Sequence, residues 1–424
     1  MRDAVGVRLT PADLAHVQRR TVWVLSIAQV LGGIAFGATI SLGAVLAAEL
    51  AGDESLSGLA AAAVTFGTAL IAIPLARLAG RRGRRLSLAT GMMIALVGVI
   101  LVVIAVNARS FPLLLIAFLL IGGGQAANLQ SRFAAADLAT DASRGRDLSF
   151  VVWATTIGAV LGPNLTGPGE LVGGLIGMPP LTGPYIFTIV GQVLAIALYF
   201  AALRPDPLLL AQRVVAQAAV GTQAQPIAKP DQARVARYAI FAVAAAHGVM
   251  VAVMAMTPVH LLHQGATLTI IGVTLSLHIA GMYALSPVFG ILADRLGRIP
   301  TILLGQVILA AALVTASFGQ HSTLAVTLGL ILLGMGWSAT TVAGSALLTE
   351  ASSELKRTRR QGFSDFTMSM VAAVGAILAG VILGWIGYGG LALLVGIAVV
   401  AVIALAPLGR ERTTPRPRVD SEAG

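Results

Sequence analysis

The chain has no cysteine, few charges and few aromatics. Of its 424 residues, 11% are charged and 5% are Phe, Trp or Tyr. Without cysteine there is no disulfide and no thiolate metal site. The six histidines show no ligand spacing, so no metal or other cofactor is expected. No G-x-x-x-x-G-K-[ST] loop occurs, and the polar segments are too short for a nucleotide-binding domain, which excludes ATP as a fuel bound by this chain. Acids inside apolar segments are scarce and unpaired, so the convergent groups of a membrane enzyme are missing and no catalytic residue is expected. A purely sensory or scaffolding protein has no positive feature here.

Apolar residues fill the space, at 57% of the chain with a mean hydropathy of +0.89. A soluble domain of this length needs far more polar surface. Apolar runs of about 20 residues recur throughout, each able to cross a bilayer as a helix. The expected fold is an all-α integral membrane protein with spans near 22–48, 57–79, 86–106, 111–134, 148–172 and 185–203, then 237–262, 270–292, 300–318, 323–347, 362–386 and 390–408. Thr10, Pro11 and Asp13 predict a helix start, with a short surface helix ahead of the first span.

Charge orients these spans. The net charge is +10, and only two of the 28 basic residues are lysine, a bias of GC-rich bacterial genomes. With the amino terminus inside, every Lys and Arg except Arg109 falls in a cytoplasmic segment. The positive charge is thus topological and requires no nucleic acid. The reading is a bacterial inner-membrane protein with both termini cytoplasmic. Its parts are a six-helix half (1–203), a Pro-, Gln- and Ala-rich cytoplasmic linker (204–236), a second half (237–409) and a cytoplasmic tail (410–424).

The halves repeat at an offset of 213–214 residues. Gly58 and Gly67 fall on Gly272 and Gly281, Arg81, Gly83 and Arg84 on Arg295, Gly297 and Arg298, and Asp137 on Glu350. Parallel six-span repeats place a substrate site between the halves near the midplane. In span four, Gln125, Asn128 and Arg132 share one helix face, and their repeat mates Ser338, Thr341 and Ser345 share one in span ten. Polar stripes are costly in lipid, so they should face the interior. They line a cavity or join packed helices, and Arg132 has the further option of snorkelling to the interface. Gln29 and Phe36 in span one, His247, Met250 and Met254 in span seven, and Trp337 in span ten complete the candidate cavity. His247, His278 and Asp365 are the proton-coupling candidates. Each has a bland alternative: interhelical bonding for the histidines, and a charge stabilised at a helix N-terminus for Asp365. Asp137, Glu350 and Glu354 read as surface ion pairs, and His260 and His263 as solvated.

The segment Gly290-Ile-Leu-Ala-Asp294-Arg295-Leu-Gly297-Arg298 resembles the loop signature G-x-L-x-D-R-x-G-R of the major facilitator superfamily. The first-half copy keeps Arg81, Gly83 and Arg84 but has Ala76 for glycine and Gly80 for aspartate. Gly158-x-x-x-Gly162-Pro163-x-x-Thr166-Gly167 resembles the antiporter signature of the exporting branches, with Thr166 for a glycine. The arginine that such exporters carry within span four, and the acid in span one, are absent. The resemblance implies two pseudo-symmetric six-helix halves and alternating access, with spans one, four, seven and ten around the cavity. It also implies that Asp294 gates the cytoplasmic side by approaching the start of span five, near Ser149, Arg144 and Arg146. The expected function is proton-coupled efflux of small molecules. The alternative is a proton-coupled importer or a facilitator of a small organic solute, with an anion among the options. The partners are therefore the substrate, protons and the lipid bilayer, with a monomer as the default state.

Overall fold

The computed structural model describes residues 10–53, 56, 58–221 and 231–409; the expected tail lies outside the described residues. Every regular element among them is helical: α1 (Pro11–Ala51), α2 (Gly58–Arg82), α3 (Arg84–Asn107), α4 (Phe111–Ala136), α5 (Arg144–Asn164), α6 (Thr166–Leu175), α7 (Tyr185–Ala202), α8 (Pro207–Gly221), α9 (Ala233–His263), α10 (Leu268–Tyr283), α11 (Ser286–Leu296), α12 (Arg298–Phe318), α13 (Thr323–Glu350) and α14 (Glu354–Ala404), followed by a 3-10 turn (Ala406–Gly409).

Nine of these helices, counting α7–α8 and α10–α11 as one each, are long and apolar enough to span a bilayer. Together with α1, the α5–α6 pair and the second half of α14, they make twelve spans in two sets of six. The expected surface helix is instead the first turns of α1. A capping box between Thr10 and Asp13 starts it, and Gly52, at φ 69°, ends it. Two spans are broken. Span five divides at Leu165, inside the antiporter-like motif. Span eight divides before Pro287, where the Ser286 hydroxyl donates to Tyr283 O at 2.7 Å. Spans eleven and twelve, by contrast, run together as α14, turning at Gly387, whose φ of 71° favours glycine.

Small residues let the helices approach closely. A side chain on Gly67 would collide with the Leu119 backbone, and one on Gly281 with that of Ile331. The two glycines matched by the repeat therefore do the same work, joining spans two and four in one half and spans eight and ten in the other. The linker region carries a helix, α8. Asp206 ties its start to the first half by accepting the N–H groups of Arg85 (2.8 Å) and Leu208 (3.1 Å). At the far end of that region, Asp231 accepts from Arg360 (2.6 Å), Lys356 (2.9 Å) and the Ser353 N–H (3.2 Å). Burial alone would raise the Asp231 carboxyl, but these bonds and the Arg360 charge outweigh it and hold the group at about 2.

Candidate transport site

Two neighbouring sites follow from this frame: a polar centre between the halves and a bonded network on the side of the linker. The centre is built on α4, α9, α13 and α14. Arg132 meets Asp365 of α14 at 2.5 Å, with side chains only 3% and 0% exposed. The pair bridges the halves. It also breaks their symmetry, because the repeat mates of Arg132 and Asp365 are Ser345 and Val152. Arg132 does not snorkel, and Asp365 lies well inside α14, which starts at Glu354, rather than at its N-terminus. Two ions lose most of their hydration here, and their attraction offsets that cost only while both stay charged. Asp365 Oδ2 and Arg132 Nε have no partner among the described residues.

Above the pair, the Trp337 indole donates to His247 Nδ1 at 2.8 Å, and Tyr283 stands edge-on to Trp337 with ring centroids 5.8 Å apart. Arg132 lies within Coulombic reach of both His247 and Tyr283. On the first-half side, Gln125 and Asn128 border a small cavity with Gln192 and Met92, and Gly32 provides the room, since a side chain there would press on the Asn128 amide. The Asn128 and Gln192 carbonyl oxygens are unpartnered among the described residues. Gln29 is turned to span five, donating to Thr155 Oγ1 at 3.1 Å. Met250 sits in the second half's apolar core beside Val249 and Val253, and Met254 packs against it. Ser338, Thr341 and Ser345 are buried, and their hydroxyls have no partner among the described residues. His278 is fully buried away from this centre, with Nδ1 against Leu330 O at 2.7 Å, joining α10 to α13. The side chains of Phe36 and Pro163 lie outside the described residues.

The linker side is closed by a network across the halves. Asp294 accepts the N–H groups of Gly145 and Arg146, both at 2.8 Å, and pairs with Arg298 at 2.6 Å. The first turn of α5 presents free N–H groups, so a carboxylate is favoured there. Gly290 lets the helices touch, because a side chain on it would overlap Ser149 and the Gly145 carbonyl. Arg298 also reaches Glu350 (2.7 Å) and Asp141 O (2.8 Å), and Arg144 bridges to Glu350 (2.9 Å). The symmetric crossing has no carboxylate. Ala76 packs on Gly362, and Gly80 abuts Thr358, the repeat mate of Gly145. Below it, Arg84 is fully buried, paired with Asp137 (2.8 Å) and donating to Gln361 (2.6 Å). The expectation of a surface ion pair at Asp137 is thereby corrected: the tight Gly83 turn at φ 87° sends Arg84 inward. Arg81 and Arg295 are exposed, and Gly297 turns at φ 100°.

In the antiporter-like motif, Gly158 packs directly on the Gly33 backbone and Gly162 is buried, whereas Gly167 faces open space. On the side opposite the linker, His260 is buried rather than solvated. It stacks on Tyr388 at 4.2 Å and bonds Gln320 O at 2.7 Å. His263 is exposed. Among the described residues, the hydrogen bonds between the halves gather in the linker-side network and at the Arg132–Asp365 pair, with Ser286 to Ser149 O (3.1 Å) just beside them.

Sequence and structure comparisons agree on what carries this geometry. A family model described as Major Facilitator Superfamily matches residues 25–268 and again 238–424. The chain is 34% identical over 407 residues to the uncharacterised MFS-type transporter YdeG of Bacillus subtilis, covering 95% of each chain. It is 27% identical over 385 residues to the riboflavin transporter RfnT of Brucella anthropi, covering 88% of this chain and 92% of that one. The crystal structure of the human organic anion transporter MFSD10 superposes with a TM-score of 0.73 at 16% identity, over 92% of this chain and 99% of that one. The protein is a multi-pass membrane protein that moves small molecules and is not an enzyme: it belongs to the Major Facilitator Superfamily.

Proposed function

We propose that the chain is a proton-coupled exporter of small organic molecules working by alternating access, with Asp365 as the proton carrier. The carrying observation is the buried Arg132–Asp365 pair joining the halves. Protonating Asp365 removes one charge, leaves Arg132 uncompensated and dissolves a bridge that exists only while the linker side is closed. Proton occupancy and the open side are thereby linked. Export is favoured by the antiporter-like motif, which packs Gly158 against span one and ends in a break at Leu165. In this reading the linker side faces the cytoplasm of a bacterial inner membrane. Residues 1–203 and 237–409 rock about the linker 204–236. Gln125, Asn128, His247 and Trp337 face the substrate, while Asp294, with Arg298, Arg84 and the glycines around them, forms the gate.

The same pair supports a second reading. Once Asp365 is protonated, the bared Arg132 attracts an anion, which would give proton–anion import. Energised everted vesicles with a pH-sensitive dye separate the two. Substrate-evoked proton release from the lumen, lost in Asp365→Asn, is the result expected for export. Proton movement in the same direction as an anionic solute, measured in right-side-out vesicles, replaces it with import. Responses identical in Asp365→Asn and the unaltered chain refute Asp365 as the carrier in either direction.

A further inference from the structure

Away from the transport pathway, a groove of about 400 Å³ opens on the linker side between the start of α9 and the end of α14. Its walls are Tyr238, Phe241, Leu405 and Leu408, and Arg234 and Arg237 stand at its mouth. Both arginines are exposed, one helical turn apart, and neither has a carboxylate partner among the described residues. Asp231, the nearest acid in the chain, is taken up by Arg360 and Lys356. The first turn of α9 adds the positive end of a helix dipole. The groove is firmly built: the Tyr238 hydroxyl donates to Val402 O at 3.3 Å, and Gly409 packs against the Tyr238 ring. Phe241, one turn further along, is exposed on the outside of the bundle, so the apolar wall continues toward the hydrocarbon.

We infer that this groove binds an anionic phospholipid, its phosphate on Arg234 and Arg237 and an acyl chain along Phe241, Leu405 and Leu408. Guanidinium groups suit phosphate by shape as well as charge. An apolar wall beneath a basic mouth at the membrane surface matches a lipid's two parts, whereas a soluble anion would use only the mouth. The chain's own tail suits the groove less well, because residues 410–424 bring four arginines against three acids.

The test is native mass spectrometry of the purified full chain titrated with dioleoyl phosphatidylglycerol or dioleoyl phosphatidylcholine. Phosphatidylglycerol should bind preferentially, and about 30-fold more weakly to the double variant Arg234→Gln, Arg237→Gln. Phe241→Ala should weaken both lipids alike, and an unchanged melting temperature in each variant shows that the fold is kept. Equal phosphatidylglycerol binding by the double variant overturns the assignment. So does displacement of the lipid by inorganic phosphate at matching concentration, which gives the arginines to a soluble anion. Lipid binding that appears only after residues 411–424 are deleted assigns the groove to the tail and likewise overturns it.

Discussion

Replacing Asp365 by asparagine keeps the shape of the side chain and removes its charge. Arg132 then stays buried without a counter-ion, which costs on the order of 3–5 kcal/mol in comparable buried pairs. In the proposed cycle the cost falls on the linker-side-closed state, the arrangement in which α4 and α14 meet at 2.5 Å. A penalty of about 3 kcal/mol shifts the closed-to-open ratio by roughly 100-fold, enough to bring a 99:1 population near balance. The chain has no cysteine, so a single Leu148→Cys reports without background. Leu148 is fully buried with Val342 of the other half. Maleimide labelling of Leu148→Cys should be slow in the parent and faster by one to two orders of magnitude with Asp365→Asn. Adding Arg132→Met should restore much of the protection by removing the orphaned charge, a double-mutant test of the coupling. Labelling that is unchanged by Asp365→Asn, with an unchanged melting temperature, would refute the idea that the pair holds the halves together.

Asp294→Asn weakens two charge-assisted bonds to the α5 N-terminus and should also raise labelling at Leu148→Cys, by about tenfold. A rate equal to the parent's would remove Asp294 from the gate. Gly290→Val should be more disruptive, since its side chain has no room beside Ser149; thermal denaturation should record a loss of about 1–3 kcal/mol. The Asp231 carboxyl is held at about 2, below its unfolded value, so its stabilisation is present above about pH 4 and fades as pH falls toward 2. With the group partly exposed, the effect is about 1 kcal/mol. Asp231→Asn should lower the melting temperature at pH 7 and leave it nearly unchanged at pH 2; an equal drop at both pH values contradicts the ion-pair account.

Spans and halves were legible because apolar runs and basic loops are both imposed by the bilayer. The polar stripe of α4 was legible as well, from helical spacing. Its partner was not. Asp365 lies 233 positions from Arg132, and a lone acid near a helix start looks the same whether it faces water or a buried guanidinium. Arg84 shows the opposite difficulty: in a run of arginines, nothing local marks the one that turns inward, which depends on Asp137 and Gln361 converging from two other helices. Gln192 was missed although Thr188 lies one turn before it on the same buried face, because a threonine is ordinary in a membrane helix and a single glutamine beside it marks no site. His260 was misjudged because a position at a helix end says nothing of Tyr388, which arrives from α14 to cover it. Asp294 and its glycines were readable because a local motif encodes local geometry, namely a carboxylate placed at a helix start.

The two crossings on the linker side are unequal. One is fastened by the Asp294 carboxylate, Arg298 and Glu350; the other touches at Gly80 and Ala76 by van der Waals contact with Thr358 and Gly362 and is tied below by the Arg84–Gln361 hydrogen bond. Dispersion contacts fade over fractions of an ångström, whereas charged groups still attract after they part. In the proposed alternating access, the halves would part first along the Gly80 edge, once the Arg84–Gln361 bond gives way, and turn about the Asp294 edge. The proposed rocking would then have a built-in sense of rotation, with the entrance on this side a wedge, widest beside span two.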